Sequence, residues 1–276
     1  MSSPTTEAQA AIASARPDIA ARLAGAGAAV LSLSVLGDSA IEHYRGSFHN
    51  PAMTVPLQVG AASLAVNCAR AAGVARPRPA PFSDRAAIVA GAAGLAFHAY
   101  NIARRPSAPT MNGLFYGAPV GAPAALLLAG TLGALSTRLA GAGRPRKPAR
   151  RLGLLSAAGL AGSVGEASLL HFRGAFHNPL MWTPLVLPPV TALALARDAA
   201  TGRARQPTMR LLAATAVMGL AGAVLHAVGV ARHMGGWRNW RQNLLDGPPI
   251  PAPPAFTGLA VAGLGAWLAL RSKAHG

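Results

Sequence analysis

Apolar residues in this chain gather into eight long runs, at about 23–42, 52–69, 86–103, 118–137, 152–171, 180–196, 210–231 and 253–270. Most come close to the ~20 residues that a helix needs to cross the hydrocarbon core of a bilayer. Runs two and six are short, as expected of a broken or tilted span. Ala, Gly and Leu fill most positions, and small residues let helices approach closely in lipid. The pattern predicts an all-α polytopic membrane bundle of about eight transmembrane helices.

The polar intervals carry the charge. The chain has 276 residues, of which 52% are hydrophobic and 12% charged, and its net charge is +17. In a soluble protein that balance would point to nucleic acid. Here eighteen of the 25 Lys and Arg residues fall in the N-terminal segment, in the 2–3, 4–5 and 6–7 connections and in the C-terminal segment. The excess of basic residues marks the cytoplasmic side. Both termini are therefore expected in the cytoplasm of a bacterial-type inner membrane, with the bilayer and no nucleic acid as partner. Residues 1–20 are polar and lack the basic-then-apolar order of a cleaved signal, so a flexible cytoplasmic tail is expected there. Cys68 is the only cysteine, which excludes an internal disulfide, and it reads as a small buried residue.

The chain repeats itself. Residues 37–56, GDSAIEHYRGSFHNPAMTVP, match residues 165–184, GEASLLHFRGAFHNPLMWTP, at ten of twenty positions with an offset of 128. The same offset carries His98 onto His226 and Arg104 onto Arg232. LFYGAPVGAP at 114–123 resembles LLDGPPIPAP at 244–253, at an offset of 130. The domains expected are a first four-helix repeat over 21–140, a basic linker over 141–151, a second repeat over 152–271 and a short tail over 272–276. Four spans are an even number, so both halves enter the membrane in the same direction. A pseudo-twofold axis along the membrane normal relates such parallel repeats.

Part of the duplicated motif is structural. Gly46 and Gly174 follow the ends of spans one and five, where a helix commonly stops on a left-handed residue. Asn50-Pro51 and Asn178-Pro179 read as an N-cap and first-turn proline opening spans two and six.

The ionisable members ask for more. Asp38 and Glu166 lie inside spans one and five, where a charge is costly. His98 and His226 lie at a similar depth in spans three and seven, roughly 9 Å below the outer helix ends at 1.5 Å rise per residue. His43 and His171 sit above that layer, and His49 and His177 in the loops over it. Buried imidazoles and carboxylates together form the donor set of iron and zinc sites. Asp38, His43, His98, Glu166, His171 and His226 are the candidate metal ligands, with His49 and His177 as further ligands or proton-transfer groups. Asp38 and His43 are five residues apart, about 140° around a helix, so they do not share a face. Glu42 shares the Asp38 face better but matches Leu170 in the second half, and is set aside. Arg45, Arg104, Arg173 and Arg232 either snorkel to head groups or bind a small anionic or amphiphilic substrate. Trp237 and Trp240 read as interfacial anchors, within a segment able to form a short amphipathic lid.

Four functions fit these residues. The first is a membrane oxidoreductase dependent on a non-haem transition metal, iron or zinc. The second is an electron-transfer subunit with haem b between His98 and His226, which leaves the carboxylates unused. The third is a proton- or metal-coupled transporter; against it, the cytoplasmic halves of the spans read as almost devoid of polar groups. The fourth is a structural subunit.

Overall fold

The computed structural model describes residues 4–74, 77–78, 80–106, 110, 117, 119–141 and 145–272, with side chains from residue 18 onward. Among the described residues nine α-helices follow in chain order: α1 Pro4–Arg45, α2 Val55–Ala71, α3 Ala80–Ala103, α4 Gly121–Ala140, α5 Arg146–Arg173, α6 Thr183–Thr201, α7 Gln206–Arg232, α8 Trp240–Asp246 and α9 Pro254–Arg271. No strand occurs among the described residues. Eight segments are long and apolar enough to cross a membrane: Asp18–Arg45, Pro51–Ala71, Ala80–Ala103, Gly121–Ala140, Arg146–Arg173, Pro179–Thr201, Gln206–Arg232 and Pro254–Arg271. The chain has the architecture of a multi-pass membrane protein, and each apolar run of the sequence has its helix.

The ends differ from expectation in informative ways. The backbone of α1 begins at Pro4, so the Ala-rich segment expected as a tail continues the first span as helix. Its alanines are the strongest helix formers, and Pro4 suits a first turn. Likewise α5 begins at Arg146, inside the expected linker. The two short spans each open on a 3₁₀ turn, Pro51–Thr54 and Pro179–Trp182, which adds to their length. Residues 114–116 and 118 of the second matching segment lie outside the described residues.

Four helices make the centre. α1 lies against α9 and α4, and α5 lies against α9 and α4. On the periphery α2 packs on α1 and α6 on α5, while α3 packs on α4 and α7 on α9. The same neighbour relations thus occur in both halves of the chain. The core holds Leu31, Leu132, Leu152, Leu160, Leu195, Leu212 and Leu259. Cys68 is exposed and not buried as expected, because it lies on the outer face of the peripheral α2.

One interface is closer than its counterpart. α1 and α9 touch along much of their length, whereas α4 and α5 meet over a shorter stretch. A Cβ added at Gly27 would stand 2.5 Å from the Ala262 backbone nitrogen, and one at Gly265 2.6 Å from the Ala20 carbonyl oxygen. Only glycine admits such approach of two backbones. At the matching α4–α5 interface Leu155 of the second half stands where Gly27 would, and Leu128 and Leu135 of the first half stand where Gly258 and Gly265 would. Larger side chains hold α4 and α5 apart. On α5, Gly162 and Gly165 have no described atom within 4 Å of an added Cβ.

The end opposite the duplicated motif is not apolar. The Arg70 guanidinium donates to Asp84 through Nη1 at 2.9 Å and Nη2 at 2.6 Å. It donates further to Asn67 at 2.6 Å and to Thr137 at 3.1 Å. Asn67 continues to the Ser63 hydroxyl at 3.2 Å, which lies 2.9 Å from that of Ser32. This network ties α1, α2, α3 and α4 together and corrects the expectation of an apolar half. In the second half Thr191 and Thr215 hydroxyls, 2.8 Å apart, hold α6 to α7.

Candidate functional site

The duplicated motif folds twice into the same turn. After α1, the Ser47 and Phe48 amides donate back to the carbonyls of Tyr44 and His43 at 2.9 and 3.0 Å. After α5, Ala175 and Phe176 do the same to Phe172 and His171 at 2.9 and 3.2 Å. The left-handed residues are not the expected glycines. They are Ser47 and Phe48 at φ 56° and 46°, and Ala175 and Phe176 at φ 53° and 47°. Gly174 has φ −78°. The glycines are closely covered: a Cβ at Gly46 would stand 3.0 Å from Met53 Cε, and one at Gly174 2.9 Å from Met181 Cε, the flexible end of each side chain. Asn50 and Asn178 cap the following turn as expected, their side-chain oxygens accepting from the Ala52 and Leu180 amides at 2.9 Å.

Together these contacts hold one imidazole. His43 Nδ1 lies 2.6 Å from the Met53 carbonyl oxygen, and His171 Nδ1 lies 2.7 Å from that of Met181. A carbonyl only accepts, so Nδ1 carries the hydrogen and donates. Phe48 and Phe176 stand edge-on to the two rings, at 6.2 and 6.4 Å between centroids. Phe176 is itself backed by the Trp182 ring, stacked at 4.2 Å. Four non-glycine residues held left-handed cost of order 1–3 kcal/mol each, a strain found where a side chain must be aimed.

The deeper histidines are held in the same manner. His98 donates from Nδ1 to the Pro119 carbonyl at 2.5 Å, and His226 to that of Pro249 at 2.8 Å. His49 and His177 donate to Gly46 and Gly174 at 2.9 Å, closing their own turns. In the neutral form of each of these six candidate histidines the second nitrogen, Nε2, then carries the lone pair. A backbone carbonyl on Nδ1 is the usual orienting partner of a histidine that binds through Nε2.

The half-buried carboxylates lie between the halves. Asp38 and Glu166 stand close enough for each to act on the other's charge, and Glu42 acts on Asp38 as well. Glu166 accepts a hydrogen bond from the Gly121 amide at the start of α4. At the position matching Gly121 stands Pro251, which packs on Gly37, accepts from the Ser34 hydroxyl at 2.6 Å and has no amide hydrogen. Asp38 with Glu166 and His171 with His226 are thus within electrostatic reach of each other. Among the described residues, no three His, Cys, Asp or Glu side chains converge closely enough to hold a metal ion as they stand.

The arginines divide. Arg45 is 3.1 Å from the Glu42 carboxylate, and the Arg104 guanidinium lies 5.4 Å above the Tyr100 ring. Arg173 has partners of its own, and Arg232 is exposed. Glu42, set aside for lacking a repeat match, is therefore the partner of Arg45. Trp237 and Trp240 are exposed. α8 lies across α1 and α7 near the end that carries the motif.

A helical membrane protein with paired histidines and carboxylates at one end of its bundle is the class these features define. No family model matches the chain, and no curated protein and no solved structure is significantly similar to it.

Proposed function

We propose that this protein binds a transition metal, iron or zinc, in the layer formed by Asp38, Glu166, His43, His98, His171 and His226, and that it acts there as a metal-dependent oxidoreductase. The observation that carries this reading is the orientation of the imidazoles. The Nδ1 hydrogens of all four are spent on the carbonyls of Met53, Pro119, Met181 and Pro249. Imidazole that binds through Nε2, together with carboxylate, is the donor chemistry of iron and zinc. The donor types fit, while convergence onto one ion requires side-chain movement.

The arrangement rests on two parallel repeats about a pseudo-twofold axis, a reading supported by the duplicated turns and the matching neighbour relations. On the same reading the site lies near the outer face of an inner membrane, with both termini cytoplasmic. The four paired arginines would then meet an anionic or amphiphilic substrate arriving from that side.

An absorption spectrum of the purified protein, taken with elemental analysis, tests this. Stoichiometric iron or zinc without a Soret band is the expected result. A Soret band would replace it with the haem reading, in which His98 and His226 are the axial pair. Retention of metal by a His98→Ala/His226→Ala variant would sink the ligand assignment. Absence of both metal and haem would favour proton-coupled transport. One observation already speaks for transport: the Asp84–Arg70–Asn67–Ser63–Ser32 network supplies polar groups in the half that had been expected to lack them.

A further inference from the structure

A pocket of about 420 Å³ opens where α8 crosses the end of α1. That size falls in the range of roughly 300–1,000 Å³ that small ligands fill. Tyr44, Arg45, Ser47 and Phe48 line it from α1 and its turn, and Arg241 and Asp246 from α8. The Arg241 guanidinium lies 5.4 Å above the Tyr44 ring. Arg45 is already shared with Glu42, but neither Arg241 nor Asp246 forms an ion pair with any described residue. The pocket therefore offers one cationic fork from each side, the form that matches phosphate best, and a carboxylate at the far end of α8.

A simple anion would meet Asp246, and a simple cation would meet two guanidinium groups. A zwitterion satisfies both the guanidinium groups and the carboxylate. The depth agrees: Met234, Trp237 and Trp240 on the same connection are exposed, and exposed tryptophan marks the head-group level of a membrane protein. The Phe48 ring and the Tyr44 ring offer apolar surface beside the charged walls.

We propose that this pocket binds a phosphate–ammonium head group, as carried by phosphatidylethanolamine. The phosphate sits between Arg241 and Arg45, the ammonium against Asp246, and the acyl chains lie along the lipid-facing helices. The inference rests on the proposed function only in taking Arg45 as an anion contact, and it needs no metal.

Native mass spectrometry of the full chain in detergent tests it, with phosphatidylethanolamine, phosphatidylglycerol and soluble glycerophosphoethanolamine added in turn. The expected result is one retained phosphatidylethanolamine, preferred over phosphatidylglycerol by about tenfold, the worth of one charge-assisted hydrogen bond. Arg241→Gln is expected to weaken retention by about the same factor. Asp246→Asn is expected to erase the preference while phosphatidylglycerol still binds, a result that only a folded protein can give. Equal retention of the two lipids by the unaltered protein would overturn the proposal, as would an Asp246→Asn variant that keeps the preference. Equal binding of glycerophosphoethanolamine would overturn the membrane as the source. Metal content measured on the same samples is expected to be unchanged by Arg241→Gln, so the two readings fail separately.

Discussion

His43 shows what the shared geometry of the two turns does. Its ring is fixed by a carbonyl ten residues on, by the edge of Phe48, and by a glycine that lets Met53 come close. Ser47 and Phe48 bear left-handed backbone to make this possible, at ~1–2 kcal/mol for each non-glycine residue. Replacing Ser47 with Gly removes that strain and adds chain entropy to the unfolded state. The balance is a gain of roughly 0.5–1 kcal/mol, to be read as a higher unfolding temperature in detergent. A second residue-scale prediction concerns Arg70, which is 2% exposed. Arg70→Leu leaves Asp84 buried without its partner and is expected to cost about 3–5 kcal/mol. Adding Asp84→Leu is expected to recover more than half of that loss, since an apolar pair of similar volume replaces a buried ion pair at little cost. Thermal unfolding of the single and double variants checks both.

Between elements, the two interfaces at the centre of the bundle differ by side-chain size. Gly27→Ala drives a methyl group against the backbone of α9, with the Ala262 nitrogen 2.5 Å away. Overpacking of this kind costs about 1–3 kcal/mol, with the upper value expected where the obstacle is backbone. Gly162→Ala meets no described atom within 4 Å. It is expected to be neutral or to stabilise by up to ~1 kcal/mol through helix propensity. Comparing unfolding temperatures of the two variants tests whether α1–α9 is the tight seam of the bundle and α4–α5 the loose one. The looser seam runs beside Glu166, which reaches across it to the Gly121 amide.

For the whole molecule, the basic connections predict an orientation that can be measured in cells. With Cys68 replaced by Ala, a cysteine at Met234, which is 91% exposed, is expected to react with a membrane-impermeant maleimide added to intact cells. A cysteine at Ser272 is expected to react only after permeabilisation. The reverse pattern would invert the orientation and place the histidine layer at the cytoplasmic face.

The sequence by itself determined the eight spans, because bilayer thickness sets their length and lipid demands their composition. It also determined the duplicated polar set, since Asp38/Glu166 and the histidine pairs recur at a fixed offset within an apolar background that has drifted. Tertiary structure alone decided what those residues touch. The partners of His43 and His98 are backbone carbonyls at Met53 and Pro119, which no residue identity announces. The left-handed positions fell to Ser47 and Phe48 although Gly46 stood next to them, and their amides return to the Tyr44 and His43 carbonyls. Arg70 and Asp84 face each other across a connection, and Arg241 reaches Tyr44 from nearly two hundred residues away. Hydropathy registers each residue's average solvent preference; which pair shares a space depends on how the helices dock.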